Sequence, residues 1–181
     1  MKVYLVGGAI RDKLLGLTPK EKDWVVVNSN PSQLIELGYK QVGKKFPVFL
    51  HPETFEEYAL ARLERKTNKG HKGFEFDTSE SVTLEQDLLR RDITINAIAQ
   101  DDNGDLIDPH NGITDLENRI IRHVSDAFSE DPLRIFRVAR FYCVLSDYNF
   151  TIHEATYEVM KNIVKSGEIE ELSRERLWTE L

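Results

Sequence analysis

The sequence predicts an α+β fold, in which a small mixed sheet flanked by helices is followed by an all-helical segment. Strand and helix signals alternate without internal repeats as far as residue 125, and beyond Ser125 the composition becomes helical. A chain of 181 residues can bury a hydrophobic core, and 40% hydrophobic with 30% charged residues is ordinary for a globular protein. We therefore expect one domain, or one domain with an appended helical piece.

The bulk composition limits the classes of function. A formal net charge of −7 argues against a uniformly basic coat, so any contact with RNA or nucleotide must come from local clusters of Arg and Lys. Cys143 is the single cysteine, which excludes an intramolecular disulfide and favours a small buried residue in a helix. The apolar run from Val3 to Val6 is too short for a signal or membrane segment, so we expect a cytoplasmic protein.

The segment from Lys2 to Val27 is predicted to hold the first part of a site. It begins with a short apolar strand and ends with a buried-type strand, and a glycine turn followed by a helical turn lies between them. Backbone N–H groups at such a turn can bind a phosphate at the start of the helix, although most turns of this type bind no ligand. The residues of interest here are Gly7, Gly8 and Arg11.

Two acidic residues open the second strand, in the sequence Glu21-Lys22-Asp23. Because residues two apart on a strand point to the same face, the carboxylates of Glu21 and Asp23 should lie side by side, with Lys22 and Trp24 facing away. Such a pair can hold Mg²⁺ through its oxygen atoms. The pattern leaves a solvated acid pair at a strand start open as the alternative.

A short helix and two strands are predicted next. Asn30-Pro31 begins the helix and Gly38 ends it, because Pro suits the first helical position and Gly suits the residue that follows a helix. Residues 46–50 and 55–61 read as two strands paired across a four-residue turn.

Glu57 is a further acidic candidate, on an otherwise apolar strand face. It is predicted to be a third carboxylate of the metal site if its strand lies beside Asp23, and a solvent-exposed acid otherwise. Residues 62–73 follow as a basic, glycine-containing segment without apolar periodicity. This segment is predicted to be a loop, either mobile near a polyanion or simply solvated.

The middle of the chain carries a second polar cluster. Thr83 and Gln86 have the spacing of a capping box and should begin a helix that runs to about Arg91. This helix delivers residues 90–97, RRDITINA, where two cations precede an acid and an amide in an apolar setting. A hairpin at Asn103-Gly104 and a short helix from Thr114 are predicted to follow. No two of the five histidines have helical metal-ligand spacing, so no zinc site is predicted.

The first helix beyond residue 125 carries charge at regular intervals. An acid and three arginines lie three residues apart, which makes a polar stripe on a helix. Like charges on one stripe repel, so a phosphate or carboxylate partner would explain the arginines. Amphipathic helices are also predicted from about residue 153 to 166 and from 173 to the end, with Trp178 packing against a neighbouring helix. The stripe consists of Asp131, Arg134, Arg137 and Arg140, and the predicted packed side consists of Ile135, Val138, Ala139 and Tyr142.

Five motifs, taken together and in this order, resemble the bacterial class II tRNA nucleotidyltransferases, the CCA-adding enzymes of the polymerase β-like superfamily. The resemblance covers residues 1–181 and implies a nucleotidyltransferase head at 1–126 and a helical neck for base recognition at 127–181. Family members continue with body and tail regions, so this chain is expected to be the head and neck portion. The motifs are VGGAIRD at 6–12, the acid pair Glu21 and Asp23, RRDITINA at 90–97, EDPLRIFRVAR at 130–140 and SRER at 173–176.

The resemblance implies template-independent addition of C, C and A to the 3′ end of tRNA, with CTP and ATP as substrates and pyrophosphate as product. Glu21 and Asp23 would bind two Mg²⁺ ions, which lower the pKa of the RNA 3′-hydroxyl and steady the leaving pyrophosphate. Family members commonly carry Asp where this chain has the longer Glu21. The implied nucleotide contacts are Gly8, Arg11, Arg91, Arg137 and Arg140, the implied ribose contacts are Asp92 and Asn96, and the implied base-recognition residues are Asp131 and Arg134.

Hydrogen-bond chemistry at Asp131 and Arg134 is consistent with this substrate choice. Cytosine and adenine each present an amine donor next to a ring-nitrogen acceptor, which a carboxylate and a guanidinium would complement. Uracil and guanine present the opposite pattern, and the unpaired groups could reject them by ~10⁴ or more. Glu130 is expected to have a structural role, as an acid that complements the helix dipole.

Two alternatives remain beside CCA addition. A bacterial poly(A) polymerase shares nearly all of these residues, but those relatives tend to be basic with N-terminal extensions, whereas this chain is acidic and starts with the glycine strand. A truncated head that binds nucleotide without turnover is the second alternative.

Overall fold

A computed structural model describes residues 1–43, 48–66 and 74–180 of the protein. The helices of this part are α1 (Gly8–Leu14), α2 (Pro31–Glu36), α3 (Leu84–Leu89), α4 (Gly112–Glu117), α5 (Leu133–Val144), α6 (Glu154–Ser166) and α7 (Arg174–Glu180). The strands are β1 (Lys2–Val6), β2 (Asp23–Val27), β3 (Lys40–Val42), β4 (Val48–Leu50), β5 (Glu57–Leu60), β6 (Leu63–Lys66), β7 (Phe74–Asp77), β8 (Ala99–Gln100), β9 (Leu106–Ile107), β10 (Ile120–Ile121) and β11 (Thr151–Ile152). Short 3-10 helices cover Thr94–Asn96, Asp126–Glu130, Ser146–Tyr148 and Glu168–Glu171.

Seven of these strands form one sheet in the order β3-β4-β5-β2-β1-β8-β9. The pairing of β2 with β5 is parallel and the other pairings of this sheet are antiparallel, which confirms the predicted small mixed sheet. Strands β6 and β7 form a separate antiparallel ladder, and β10 pairs with β11 in parallel. The predicted pairing of the strands near 50 and 57 and the hairpin at Asn103-Gly104 are also confirmed.

The register of β1 and β2 places the glycine turn next to the acid pair. Val6 at the end of β1 pairs with Asp23 at the start of β2. Gly7 then turns the chain into α1 with a φ of 70°, a left-handed conformation that favours glycine because other residues are strained by their Cβ. A Cβ at Gly7 would also lie 3.0 Å from Arg91 Nη1.

Local capping chemistry sets the ends of several helices. Thr83 and Gln86 form the predicted capping box at the start of α3, and the Asn30 side chain accepts a hydrogen bond at the start of α2, which begins with Pro31 as expected. Helix α4 begins at Gly112, two residues before the predicted Thr114, since the Asp108 carboxylate accepts from the N–H groups at the start of this helix.

The packed side of α5 differs in part from the prediction. Ile135 and Val138 pack into the core as expected, and Phe141 joins them. Ala139 and Tyr142, which were also expected there, are exposed. The buried positions follow the spacing of three residues from Val138 to Phe141, so the core face lies closer to the arginines than predicted.

Two further predictions about single side chains are wrong. Cys143 is exposed, because it lies about 200° around α5 from the buried Phe141. Trp178 is 80% exposed on α7 and does not pack against a neighbouring helix of the described chain.

The loop predicted for residues 62–73 is wrong in part. Leu63–Lys66 is strand β6, whose backbone pairs with β7, and such a ladder can form without apolar alternation in the sequence. Residues 67–73 of that loop lie outside the described residues, and so do residues 46 and 47 of the predicted strand 46–50.

One core cluster extends across the predicted boundary between residues 126 and 127. Four of its buried members precede the boundary and six follow it, so the two parts share their hydrophobic core. None of the helices in the described part of the chain is both long and apolar enough to span a membrane. The cluster consists of Ile93, Ile95, Leu116, Ile121, Phe128, Val138, Phe141, Leu145, Phe150 and Ile163.

Candidate active site

A cleft of about 600 Å³ lies where the start of β2, the residues after α3, and helices α5 and α7 meet. It brings together residues from both ends of the sequence, although they are more than 100 positions apart. With the exception of Glu57, the residues predicted for the site line this cleft. They are Gly8, Arg11, Glu21, Asp23, Arg91, Asp92, Asn96, Asp131, Arg134, Arg137 and Arg140.

The acid pair lies on one wall of the cleft. Glu21 precedes β2 instead of belonging to it, yet the predicted alternation holds, because Lys22 and Trp24 both point away to Glu56 at 3.0 and 2.8 Å. Solvent reaches Asp23 from the open side of the cleft. Even so, burial among the surrounding atoms raises its pKa, the Arg91 charge lowers it, and the negative charge of Glu21 raises it further.

Glu57 does not complete a three-carboxylate cluster with this pair. It is the register partner of Asp23 on β5, but it is exposed and lines an adjoining pocket with Glu21 and Asp23. In the described part of the chain no group of three or more His, Cys, Asp or Glu residues is arranged to hold a metal ion.

The donor set of Glu21 and Asp23 nevertheless fits Mg²⁺. This ion is commonly held by one or two carboxylates, with substrate phosphates and water as its other ligands. A cation between the two groups would also relieve the repulsion by which Glu21 raises the pKa of Asp23.

Two arginines stand beside the glycine turn. Arg11 is 9% exposed, and it donates from Nη1 to Asn96 Oδ1 at 2.9 Å and from Nη2 to Asp12 at 2.8 Å. Arg91 donates from Nη1 to the backbone oxygen of Asn96 at 3.3 Å, and its buried Nε has no hydrogen-bond partner among the described residues. Asn96 therefore holds both guanidinium groups next to the acid pair.

Asp87 positions Arg91 and was not identified from the sequence. Its fully buried carboxylate contacts Arg90 at 2.7 Å and Arg91 at 3.2 Å, and it accepts from the Arg62 backbone N–H at 3.2 Å. Burial acts to raise the pKa of Asp87, but the two guanidinium charges outweigh it and the net pKa is lowered. The signal in the sequence is an acid three and four residues before a pair of arginines at the end of a predicted helix.

Asp92, which also lines the cleft, is held in a similar way. Its carboxylate accepts from Arg137 Nε at 2.7 Å and from the backbone N–H of Ile93 at 2.9 Å. Burial acts to raise the pKa of Asp92, and the Arg137 charge and these hydrogen bonds bring the net pKa below its ordinary value.

Phe141 supports three of the cleft arginines. The guanidinium carbons of Arg11, Arg137 and Arg140 lie 5.5, 5.6 and 4.6 Å from the centre of its ring. These distances are within the range of cation–π attraction, so the aromatic ring can pack beneath positive charge. Phe141 therefore belongs to a core cluster and also lines the cleft.

Helix α7 contributes two charged residues that the sequence did not identify as part of the site. Arg176 Nη2 donates to Asp131 Oδ2 at 2.7 Å. The buried Glu180 accepts from Arg140 Nε at 2.9 Å and from Arg137 Nη1 at 3.3 Å. The arginine stripe of α5 is thus neutralised in part from within the chain.

Arg134 is buried and reaches the backbone at the end of α3. Its Nη2 donates to the carbonyl of Arg90 at 2.6 Å, and its Nη1 lies 3.5 Å from the carbonyl of Arg91. Asp131 and Arg134 therefore both face the cleft and both make contacts with other elements of the chain.

Comparison with known proteins identifies the family. The model of the poly A polymerase head domain matches residues 3–122, which is more than half of the chain. The chain belongs to the poly A polymerase head domain family. Within this family it is 61% identical, over 180 residues, to a protein named "Multifunctional CCA protein" from Pseudoalteromonas atlantica (strain T6c / ATCC BAA-1087). The match covers 99% of this chain and 44% of that relative, so the chain spans less than half of the relative's length.

Solved structures of CCA-adding enzymes share the fold of this poly A polymerase head domain. An apo form has a TM-score of 0.81 at 31% identity, covering 99% of this chain and 44% of that one. A CCA-adding enzyme in complex with CTP has a TM-score of 0.74 at 29% identity, covering 99% of this chain and 41% of that one. The predicted resemblance and the predicted polymerase β-like fold are confirmed.

Proposed function

We propose that this chain is the nucleotidyltransferase portion of an enzyme that adds C, C and A to the 3′ end of tRNA from CTP and ATP. The observation that carries the proposal is that one cleft joins the carboxylates Glu21 and Asp23 to the arginines of α5. Family membership and the name of the 61% identical relative support it. The proposed division of labour is a catalytic head at 1–126 and a base-recognition neck at 127–181.

The acid wall would bind magnesium and the attacking RNA end. Magnesium held by Glu21 and Asp23 would lower the pKa of the RNA 3′-hydroxyl and stabilise the charge of the leaving pyrophosphate. Both residues line the cleft, so their carboxylates are available to one bound ion.

The cationic side of the cleft would hold the incoming triphosphate. Arg11 and Arg91 lie beside the glycine turn, where their guanidinium groups can form charge-assisted hydrogen bonds to phosphate oxygens. The missing side chain at Gly8 allows close approach of the backbone. Arg137 and Arg140 add positive charge from α5, and Phe141 supports both.

The ribose and the base of the nucleotide would lie between the arginines beside the glycine turn and helix α5. Asp92 and Asn96 present polar atoms to the cleft for the ribose hydroxyls. Asp131 would accept from the exocyclic amine of cytosine or adenine, and Arg134 would donate to the ring nitrogen. A uracil or guanine would present a carbonyl to the Asp131 carboxylate and an N–H to the Arg134 guanidinium, and this mismatch would favour CTP and ATP.

The test is incubation of the chain with Mg²⁺, labelled CTP or ATP, and a tRNA that lacks its terminal CCA. Ordered incorporation of C, C and A is the expected result. A long A tail made from ATP alone would indicate a poly(A) polymerase instead. Saturable binding of CTP without incorporation would indicate a nucleotide-binding head that needs the remaining part of the longer relatives. The cytoplasmic location remains a prediction from the sequence.

A further inference from the structure

We propose that Arg176 on α7 is a positioning residue that sets the nucleotide selectivity of the cleft by orienting the Asp131 carboxylate. The inference rests on the proposed function, in which Asp131 reads the amine of the incoming base. The contact that carries it is the 2.7 Å bond from Arg176 Nη2 to Asp131 Oδ2, which joins residues 45 positions apart.

Asp131 depends on its hydrogen bonds for a fixed orientation. It lies in extended backbone between the 3-10 helix at Asp126–Glu130 and α5, with φ −126° and ψ 106°. Its Oδ1 accepts from the Leu133 N–H at 3.1 Å, and its Oδ2 accepts from Arg176. One bond to each oxygen fixes the plane of the carboxylate, whereas one bond alone would leave it free to rotate about χ2.

These two bonds leave the carboxylate able to read a base. Each carboxylate oxygen has two acceptor positions, so a donor from the base can join the bonds that Asp131 already makes. A guanidinium suits this supporting role because it stays protonated and holds its N–H groups in a rigid plane. Arg176 also lines the cleft itself, beside Asp131 and Arg134.

The effect is expected on selectivity more than on overall affinity. The proposed triphosphate contacts of Arg11 and Arg91 are held by Asn96, Asp12 and Asp87, which are separate from the Arg176 contact. Loss of Arg176 therefore leaves the base-independent part of nucleotide binding in place. It weakens the one contact that distinguishes an amine from a carbonyl.

The chain offers a matched control on the same helix. Arg174 is exposed, lies two residues from Arg176 and carries the same charge. Arg174→Gln and Arg176→Gln change the net charge equally, so a difference between them reports the Asp131 contact. Arg176→Lys keeps the charge but replaces the planar group by a point donor.

The experiment measures dissociation constants for CTP and UTP in Mg²⁺ by titration calorimetry, with thermal unfolding as the check on folding. We expect Arg176→Gln to reduce the preference for CTP over UTP by about tenfold, close to the loss of one charged hydrogen bond. Arg176→Lys should reduce it by about threefold, and Arg174→Gln should match the unsubstituted chain. In an Asp131→Ala background, Arg176→Gln should cause no further loss of preference.

Several results would overturn the inference. An unchanged CTP preference in Arg176→Gln, or an equal loss of CTP and UTP binding, would show a role in folding or affinity only. A further loss of preference in the Asp131→Ala background would show that Arg176 acts by another route. If Arg176→Gln does not fold, an unchanged preference in Arg176→Lys decides against the inference. An unsubstituted chain that binds CTP and UTP equally would instead overturn the proposed function.

Discussion

At the scale of single residues, the cleft is organised by carboxylates that hold arginines. Asp87, Asp92 and Glu180 each bind one or two guanidinium groups, and these bonds leave the arginines pointing into the cleft. A buried charge of this kind is costly to leave without its partner. Substitution of one of these carboxylates is therefore expected to affect both the fold and ligand binding. Substitution of Asp23 is a more direct test of the proposed catalytic step.

Asp23→Ala is expected to abolish nucleotide incorporation without unfolding the chain. Asp23 is exposed to the cleft, and the described structure gives it no ion pair, so its removal deletes a proposed metal ligand and little else. The measurement is incorporation of labelled CTP together with the unfolding temperature. Lys22→Ala, whose side chain points to Glu56 instead, is the control that should retain incorporation. Turnover by Asp23→Ala would remove the metal assignment.

Asp131→Ala is expected to let UTP or GTP compete with CTP and ATP. Arg134→Ala should have the same effect on selectivity, but it also removes the donor to the Arg90 carbonyl, which should cost about 1–3 kcal/mol of stability. Competition assays with mixed nucleotides measure the selectivity, and urea unfolding separates the stability of the two variants. Full discrimination against UTP in Asp131→Ala would contradict the account of base recognition.

At the scale of helices and strands, local chemistry was predictable and long-range contacts were not. The capping residues Asn30 and Thr83 each accept from the backbone N–H three residues further on, so the sequence alone identified both helix starts. The core face predicted for α5 was wrong at Ala139 and Tyr142, which are exposed. Phe141 instead packs beneath the arginines, and only the folded structure brings Glu180 to them.

Gly112→Ala at the start of α4 is expected to destabilise the protein by roughly 1–3 kcal/mol or more. An added Cβ would meet the Thr94 carbonyl oxygen at 2.2 Å, so α4 must move away from the 3-10 helix that contains Asn96. Gly16→Ala is the comparison, because open space surrounds it and only its φ of 75° opposes a side chain. Denaturant unfolding should show a larger loss for Gly112→Ala, and equal losses would contradict this steric account.

At the scale of the whole molecule, the proposed head and neck share a hydrophobic core cluster. Six of the ten buried residues in the shared core cluster lie after residue 126. A chain that ends at residue 126 would expose the other four, so we expect it to lack a cooperative unfolding transition. Calorimetry of the shortened chain measures this, with the 181-residue chain as the reference. A sharp transition in the shortened chain would show that the core is divisible.

The stability of the molecule is also expected to fall in acid. The folded pKa values of Asp87 and Asp92 are lowered, so their contribution is present above their unfolded pKa of about 3.9 and is lost as the pH falls through the folded values. Below about pH 4, each group should add up to about 1.4 kcal/mol per pH unit to the slope of unfolding free energy against pH. Asp87→Asn should be less stable at pH 7 and show a shallower slope. An identical slope would contradict the contribution of Asp87.

The exposed position of Cys143 has a practical consequence for fluorescent labelling of this protein. It is the single thiol of the chain and lies one helical turn from Arg140 at the cleft. A maleimide fluorophore would attach there and nowhere else, which offers a single labelling site near the cleft.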